Sequence, residues 1–292
     1  MKQIMTTNFI LCADDYGYNK ECSAGILALM AHRRLSAVSC MVARNDWPLY
    51  AQQLKQRSTG DVSFGLHFQL TDGFSLTDGK PFHGLKQLIF QSLTGQLQKD
   101  WILKELRAQA EAFRHRLGIW PQYIDGHQHV HCLPVIRDAL LDYIKDHPHL
   151  KSAPIRLPSD KDFFQRLGSI SIRSGLKKHL IHLLGSKRLR HDLKANNHPC
   201  NDYFGGIYPF NGADEETFRH HLTTALSDKP SKLLIMCHPA LYADDQLKDP
   251  VIRHTDPIAK TRTWEFAYLG SDLFLEDLEN HDATLTSIEF LY

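Results

Sequence analysis

Asn8-Phe9-Ile10-Leu11-Cys12-Ala13-Asp14-Asp15-Tyr16-Gly17 is an apolar run that stops at two acids and a turn. It reads as a β-strand delivering carboxylates to its carboxyl end. The same grammar recurs downstream. Val62–Leu70 is strand-like, carries His67, and breaks at Thr71-Asp72-Gly73. Gln122–His127 ends in Asp125 and His127, and Lys232–Cys237 is closed by His238-Pro239. Helical segments fall between these strands. Asn19 is placed to cap Glu21–His32, where Ile26, Leu27, Leu29 and Met30 have helical spacing. Ala37–Ala43 is a further β-like run, and Pro48 opens a helix over Leu49–Gln56. Asp100–Leu117 repeats apolar residues on one face and stops at Gly118. Pro134 opens a helix through Lys145, Ile155–Pro158 is a short extended piece, and Glu215–Leu226 is helical. Residues 261–292 read as one or two helices and a final strand.

Strand–helix alternation of this kind argues for an α/β protein with a parallel sheet and right-handed crossovers. Chemistry in such folds gathers at the carboxyl ends of the strands. Four polar clusters at four strand ends therefore predict a (β/α) barrel, TIM-like and irregular, with one site on its carboxyl face. A doubly wound sheet is the alternative. No internal repeat or linker divides the chain, so residues 1–292 read as a single domain with a basic insert at about 161–199.

The 292 residues are 42% hydrophobic and 23% charged, with a net charge of +1, so no global field points to nucleic acid. The six cysteines lack CxxC spacing and read as reduced thiols. No stretch approaches a membrane span or a signal h-region, and the expected location is cytoplasmic. Histidine is the departure, at 18 copies, several of them clustered. Residues 71–84, rich in Gly, Asp and Thr, read as a functional loop.

Each cluster has a chemical and a plain reading. Asp14-Asp15 would bind a hard cation and accept a proton, or would be a cap beside a solvated acid. His67 is a ligand or a satisfied core histidine. If the segment Asp125–His131 is extended, Asp125, His127, His129 and His131 share one face. Burying that face calls for a divalent metal, with Asp125 orienting a ring, unless the segment is an exposed loop. His238, fixed between a strand and a proline, suits a general acid, a ligand or a turn. Two histidines and a carboxylate leave metal positions open for water and substrate. A neighbouring carboxylate and an imidazole then supply base and acid for hydrolysis of an amide.

In this order, Ala13-Asp14-Asp15-Tyr16-Gly17, Gly65-Leu66-His67, Asp125–His131, Arg156-Leu157-Pro158 and Cys237-His238-Pro239-Ala240 resemble the motifs of the YdjC-like carbohydrate deacetylases, which include the chito-oligosaccharide deacetylase ChbG. The resemblance implies a (β/α) barrel that deacetylates N-acetylglucosamine units. It implies one divalent metal on Asp15, His67 and His127; such a donor set with open positions is expected to take magnesium or zinc, with manganese, cobalt or nickel as alternatives. It makes Asp14 the general base and His238 the candidate acid, with Asp125, His129, His131 and Arg156 supporting or lining the site. Tyr16 stands where phenylalanine is usual and Cys12 where asparagine is common. The basic stretch 161–199 and Thr263–Leu269 lean toward the branch associated with hopanoid biosynthesis, HpnK, whose substrate is a glycosylated lipid. The partner is then an N-acetylated sugar or a glycolipid, with peripheral membrane contact an alternative to a solvated insert, and a homodimer the base-rate assembly. Two competing readings are a metal hydrolase for a phosphate ester or another amide, and a catalytically silent sugar-binding protein.

Overall fold

The computed structural model describes residues 6–57, 60–161, 185–210 and 213–292. β1 (Thr7–Tyr16) lies in the middle of a sheet whose strands all pair in parallel. α1 (Lys20–Ala31) and α2 (Trp47–Arg57) separate it from β2 (Ala37–Cys40) and β3 (Ser63–Phe68). α3 (Leu85–Leu93) and α4 (Lys99–Leu117) lead to β4 (Ile124–Gly126), followed by α5 (Ile136–Asp146). The second half contributes α6 (Lys187–Ala195), β5 (Tyr203–Gly205), α7 (Thr217–Ser227) and β6 (Leu233–Cys237). α8 (Pro250–Thr255), α9 (Ala259–Gly270), α10 (Asp272–Asn280) and β7 (Ala283–Leu285) follow. The strand order is β4-β3-β2-β1-β6-β5, with β7 paired to the first residues of β1.

The two ends of that order meet. Ile155 bridges Ile124 of β4 on one side and Cys200, just before β5, on the other. Its amide donates to the Pro199 carbonyl at 3.0 Å, and the Arg156 amide donates to Ile124 at 3.1 Å. One step further on, Asn201 replaces backbone pairing with its side chain, accepting from the Leu157 amide at 2.7 Å and donating to the Leu157 carbonyl at 2.8 Å. The sheet thus closes into an irregular (β/α) barrel, and the doubly wound alternative is excluded. The extended Ile155–Pro158 piece is its closing stave.

Two cores follow from the period-2 alternation of the strands. Ile10 and Cys12 point inward to meet Ala37, Tyr123, Phe204, Leu234 and Met236. Phe9, Leu11 and Ala13 point outward into the larger layer against the helices. Ile288 and Leu291 complete the inner core near the amino ends of the strands, where the Ile288 amide meets Ser63 Oγ at 3.5 Å. Lys232 Nζ donates to the Leu291 carbonyl there. Tyr16, the family departure, is fully buried and donates its hydroxyl to the Tyr50 carbonyl at 2.7 Å.

The local signals hold where they rest on caps. Asn19 Oδ1 accepts from the Cys22 amide at 2.8 Å, and Gly118 ends α4 in the left-handed region at φ 81°. β1 does not stop at its acids but runs through them to Tyr16. α3 lacks a cap signal and escapes sequence reading; α5 begins at Ile136, two residues beyond Pro134. Of the basic stretch 161–199, for which peripheral membrane contact is one expectation, residues 162–184 lie outside the described residues. Among the described residues no helix is long and apolar enough to cross a membrane.

The inner core tolerates no added volume at Gly65. A Cβ there would stand 2.3 Å from the Tyr123 ring, and Tyr123 is itself fully buried. Gly65→Ala is expected to lower unfolding free energy by about 1–3 kcal/mol in urea titration. An unchanged midpoint would mean that the Tyr123 ring yields freely.

Candidate active site

The adjacent acids reach one rim because β1 bulges there. Its register with β2 moves from Ala13↔Val38 to Tyr16↔Cys40, three residues against two, and Asp15 takes φ 68°. The extra residue re-aims Asp15, which a regular strand would turn outward, so that it stands beside Asp14. Asp15 Oδ1 then lies 2.9 Å from His127 Nδ1 and 3.3 Å from His67 Nε2. Asp15, His67 and His127 are all buried, and their donor atoms fall within 4.8 Å of one another. Burial would raise the Asp15 carboxyl, but the Arg262 guanidinium and the His127 ring hold it well below the usual carboxylate range.

The outer nitrogen of each ring is also held by a carboxylate. His67 Nδ1 meets Asp125 Oδ1 at 2.7 Å, and His127 Nε2 meets Asp72 Oδ2 at 3.2 Å. Burial works against a charged His67, yet Asp125 and Asp14 raise it to about 10. Asp125 is held on both oxygens. Its second oxygen accepts from Ser39 Oγ at 2.6 Å and lies 2.9 Å from Arg156 Nη1. Despite its burial, the Arg156 and His67 charges hold Asp125 at about 2. Arg156 also grips both oxygens of Asp14, at 2.5 and 2.8 Å. Asp14 Oδ2 lies 3.9 Å from His238 Nε2 and 4.0 Å from His67 Nε2.

The histidine-rich segment departs from its expected geometry. Asp125, His127, His129 and His131 do not alternate along an extended strand, because β4 ends at Gly126 and a tight turn follows over His127–Cys132. Gln128 and His129 take left-handed conformations at φ 52° and 61°, and the chain folds back on itself. His131 returns so close that a Cβ on Gly126 would lie 2.7 Å from its Nδ1. Of the three histidines, only His127 joins Asp15 and His67. His129 lines the cleft, edge-on to Phe204 with ring centroids 5.8 Å apart. His131 is buried, meets the Arg156 carbonyl through Nε2 at 2.8 Å, and is pushed by burial down to about 4. It thereby fixes the backbone of the residue that holds Asp14.

Several participants carry no motif. Asp72 stands on the 71–84 loop, and Glu105 of α4 pins that loop by accepting from the Leu76 and Thr77 amides at 3.0 and 3.1 Å. Arg262 and Asp256 reach the site from the α8–α9 region. Glu265, one turn beyond Arg262, is fully buried and accepts from the His238 amide and the Tyr208 hydroxyl. The cluster opens onto a cavity of about 550 Å³ whose walls include Tyr18, Leu85, Ile89, Leu133, Phe210 and Ile258.

The residues fit a divalent cation. Among the described residues, Arg156 pairs Asp14 with Asp125 and Arg262 pairs Asp15 with Asp256, while His67 lies between Asp125 and Asp15 and His127 between Asp15 and Asp72. Two rings and one carboxylate oxygen converge, and each ring is braced from behind by an acid, the usual support of metal-binding histidines.

Fold and site together define a (β/α)-barrel protein whose strand ends gather acids, imidazoles and guanidiniums around one cleft. The chain belongs to the YdjC-like protein family, whose model matches residues 8–280. A chitooligosaccharide deacetylase of Yersinia enterocolitica is 28% identical over 237 residues, spanning 79% of this chain and 81% of that protein. A carbohydrate deacetylase of Xenopus laevis is 29% identical over 163 residues, 51% of either chain. The crystal structure of an Enterococcus faecalis protein proposed to cleave cellobiose phosphate superimposes with a TM-score of 0.69 over 98% of both chains. At 19% identity, that likeness establishes a shared fold.

Burial raises the Glu265 carboxyl to about 7, against 4.5 ordinarily. Between those values the folded protein holds a proton that the unfolded chain has lost, so stability falls as pH rises through the window. The loss, on the order of 3 kcal/mol, is complete above about pH 7. Glu265→Gln mimics the protonated acid, accepting from the His238 amide and donating to Tyr208. Urea midpoints measured from pH 5 to 8 are expected to lose this slope in the variant. Parallel curves for both proteins would contradict the assignment.

Proposed function

We propose that this protein is a metal-dependent hydrolase that removes acetyl groups from N-acetylglucosamine units of an oligosaccharide or glycolipid. The observation that carries the reading is the converging set of Asp15, His67 and His127, with Asp14 and His238 facing each other at 3.9 Å beside it. The names of the two deacetylase relatives support the same chemistry.

Asp15 Oδ1, His67 Nε2 and His127 Nδ1 would hold a divalent ion, and the chemistry it would supply there is Lewis-acid polarisation of an acyl oxygen and acidification of water. Two imidazoles favour zinc or a similar borderline metal over magnesium. Asp125 and Asp72 accept from the outer nitrogen of each ring, which leaves the inward nitrogen as the one that would give up its proton to a metal. Asp14 accepts the proton of the attacking water at Oδ2, oriented by the two-point grip of Arg156. His238 Nε2 delivers a proton to the departing amine. Its backbone is anchored by Glu265, and its ring is backed by Phe210 at a centroid distance of 5.1 Å. Leu85, Ile89, Leu133 and Ile258 wall the cleft with apolar surface and limit the water around the reacting bond.

Acetate release from chitobiose by the zinc-reconstituted protein is the direct test. Asp14→Asn is expected to keep its metal and lose about 10²–10⁴-fold in kcat. His127→Ala is expected to lose both metal and turnover. Metal bound at full occupancy, with no acetate from chitobiose or an N-acetylglucosaminyl lipid, would remove the proposal.

A further inference from the structure

The second oxygen of Asp15 is already taken. Arg262 Nη2 donates to Asp15 Oδ2 at 2.7 Å, while Oδ1 alone faces His67 and His127. Arg262 is 3% exposed and cannot swing away. Its Nε lies 2.9 Å from Asp256 Oδ2, and Asp256 accepts from the Tyr242 hydroxyl at 2.9 Å. Tyr242 is held in turn by Asn19 Nδ2 at 2.6 Å. The guanidinium lies 5.3 Å from the centre of the Tyr18 ring, and the Arg262 carbonyl accepts from the Ala240 amide at 3.1 Å. The guanidinium is a fixed wedge between two buried carboxylates.

We infer that Arg262 is a positioning residue that confines Asp15 to a single metal-facing oxygen and so sets which cations the site accepts. The inference rests on the reading of Asp15, His67 and His127 as ligands. A carboxylate whose outer oxygen is charge-paired presents one lone-pair face inward. The donor set is then two nitrogens and one oxygen, which suits zinc, cobalt or nickel and leaves positions open. Calcium, which takes six to eight oxygens and commonly a two-oxygen carboxylate, is disfavoured. Released from Arg262, Asp15 can offer both oxygens, which raises the coordination number and weakens the preference for borderline metals. Asp256 matters at one remove, because it holds Arg262 in register and cancels its charge beside a cation site.

Metal binding by the full chain tests this without any turnover. Zinc, cobalt, manganese and calcium affinities are measured by competition for wild type, Arg262→Gln and Asp256→Asn, and the visible absorption of the cobalt form is recorded. Arg262→Gln is expected to bind zinc about 10–100-fold more weakly. Its affinity for manganese and calcium is expected to fall less or to rise, and its cobalt absorption to weaken as coordination number increases. Asp256→Asn should shift all three readouts the same way, by less. If Arg262→Gln fails to fold by circular dichroism, Asp256→Asn decides. A wild-type protein that binds neither zinc nor cobalt sinks the metal reading itself. A wild type that loads normally, beside folded variants with the same affinity order and the same cobalt spectrum, overturns the role of Arg262 alone.

Discussion

A guanidinium buried between two carboxylates organises this molecule. Arg156 is 1% exposed, grips Asp14 through two nitrogens, and lies 2.9 Å from Asp125. A carboxylate pair at that depth without a cation would be strongly destabilising, so the inner barrel and Arg156 stand or fall together. Arg156 also sits on the stave that closes the barrel, one residue after the bridge at Ile155. Closure of the sheet and neutralisation of its centre are therefore one event. Through Asp125 the same charge fixes His67, and through its carbonyl Arg156 seats His131. The site is an extension of the barrel's own electrostatic core.

The sequence was most readable where a local rule acts alone. Apolar runs ending in polar residues placed β1, β3, β4 and β6, and their alternation with helices gave the barrel. Asn19 and Gly118 marked helix ends through caps that depend on a few neighbouring residues. Asp14, Asp15, His67, His127 and His238 could be picked out because each stands next to a strand end. The bulge at Asp15 was not readable, since it is defined by register against β2. The alternation inferred for Asp125–His131 failed because two left-handed residues in succession reverse the chain, and neither Gln128 nor His129 announces that conformation. Arg262, Asp256 and Asp72 were invisible for a third reason. Arg262 on α9 meets Asp15 247 residues away, Asp72 on the 71–84 loop meets His127 55 residues away, and Asp256, 6 residues before Arg262, reaches Asp15 only through it. No pattern within an amphipathic helix distinguishes a buried arginine that crosses the barrel rim from one that lies along the surface.

The site has a graded construction. Asp14, Asp15, His67 and Asp125 come from strands and are held by the inner core. His127 comes from the turn that ends β4, while Asp72 comes from a loop anchored by Glu105. The further a residue stands from the barrel, the more its position depends on side-chain anchors. Two of the three converging donors, Asp15 and His67, thus come from strands, and the third, His127, from the turn that directly follows one.

β1 is made first among the strands and placed in the centre, and this has a consequence for how the chain is born. Its neighbour β6 arrives 224 residues after it, as the Phe9↔Leu233 pairing shows, and β7 arrives later still. At ordinary synthesis rates that interval is on the order of 10–45 s. Throughout it, Phe9-Ile10-Leu11-Cys12-Ala13 is an apolar strand with one edge unfilled. Long-range parallel pairing of this kind makes the barrel a late and slow folder. An upstream apolar sequence able to pair with β1 would compete directly with β6 for its place.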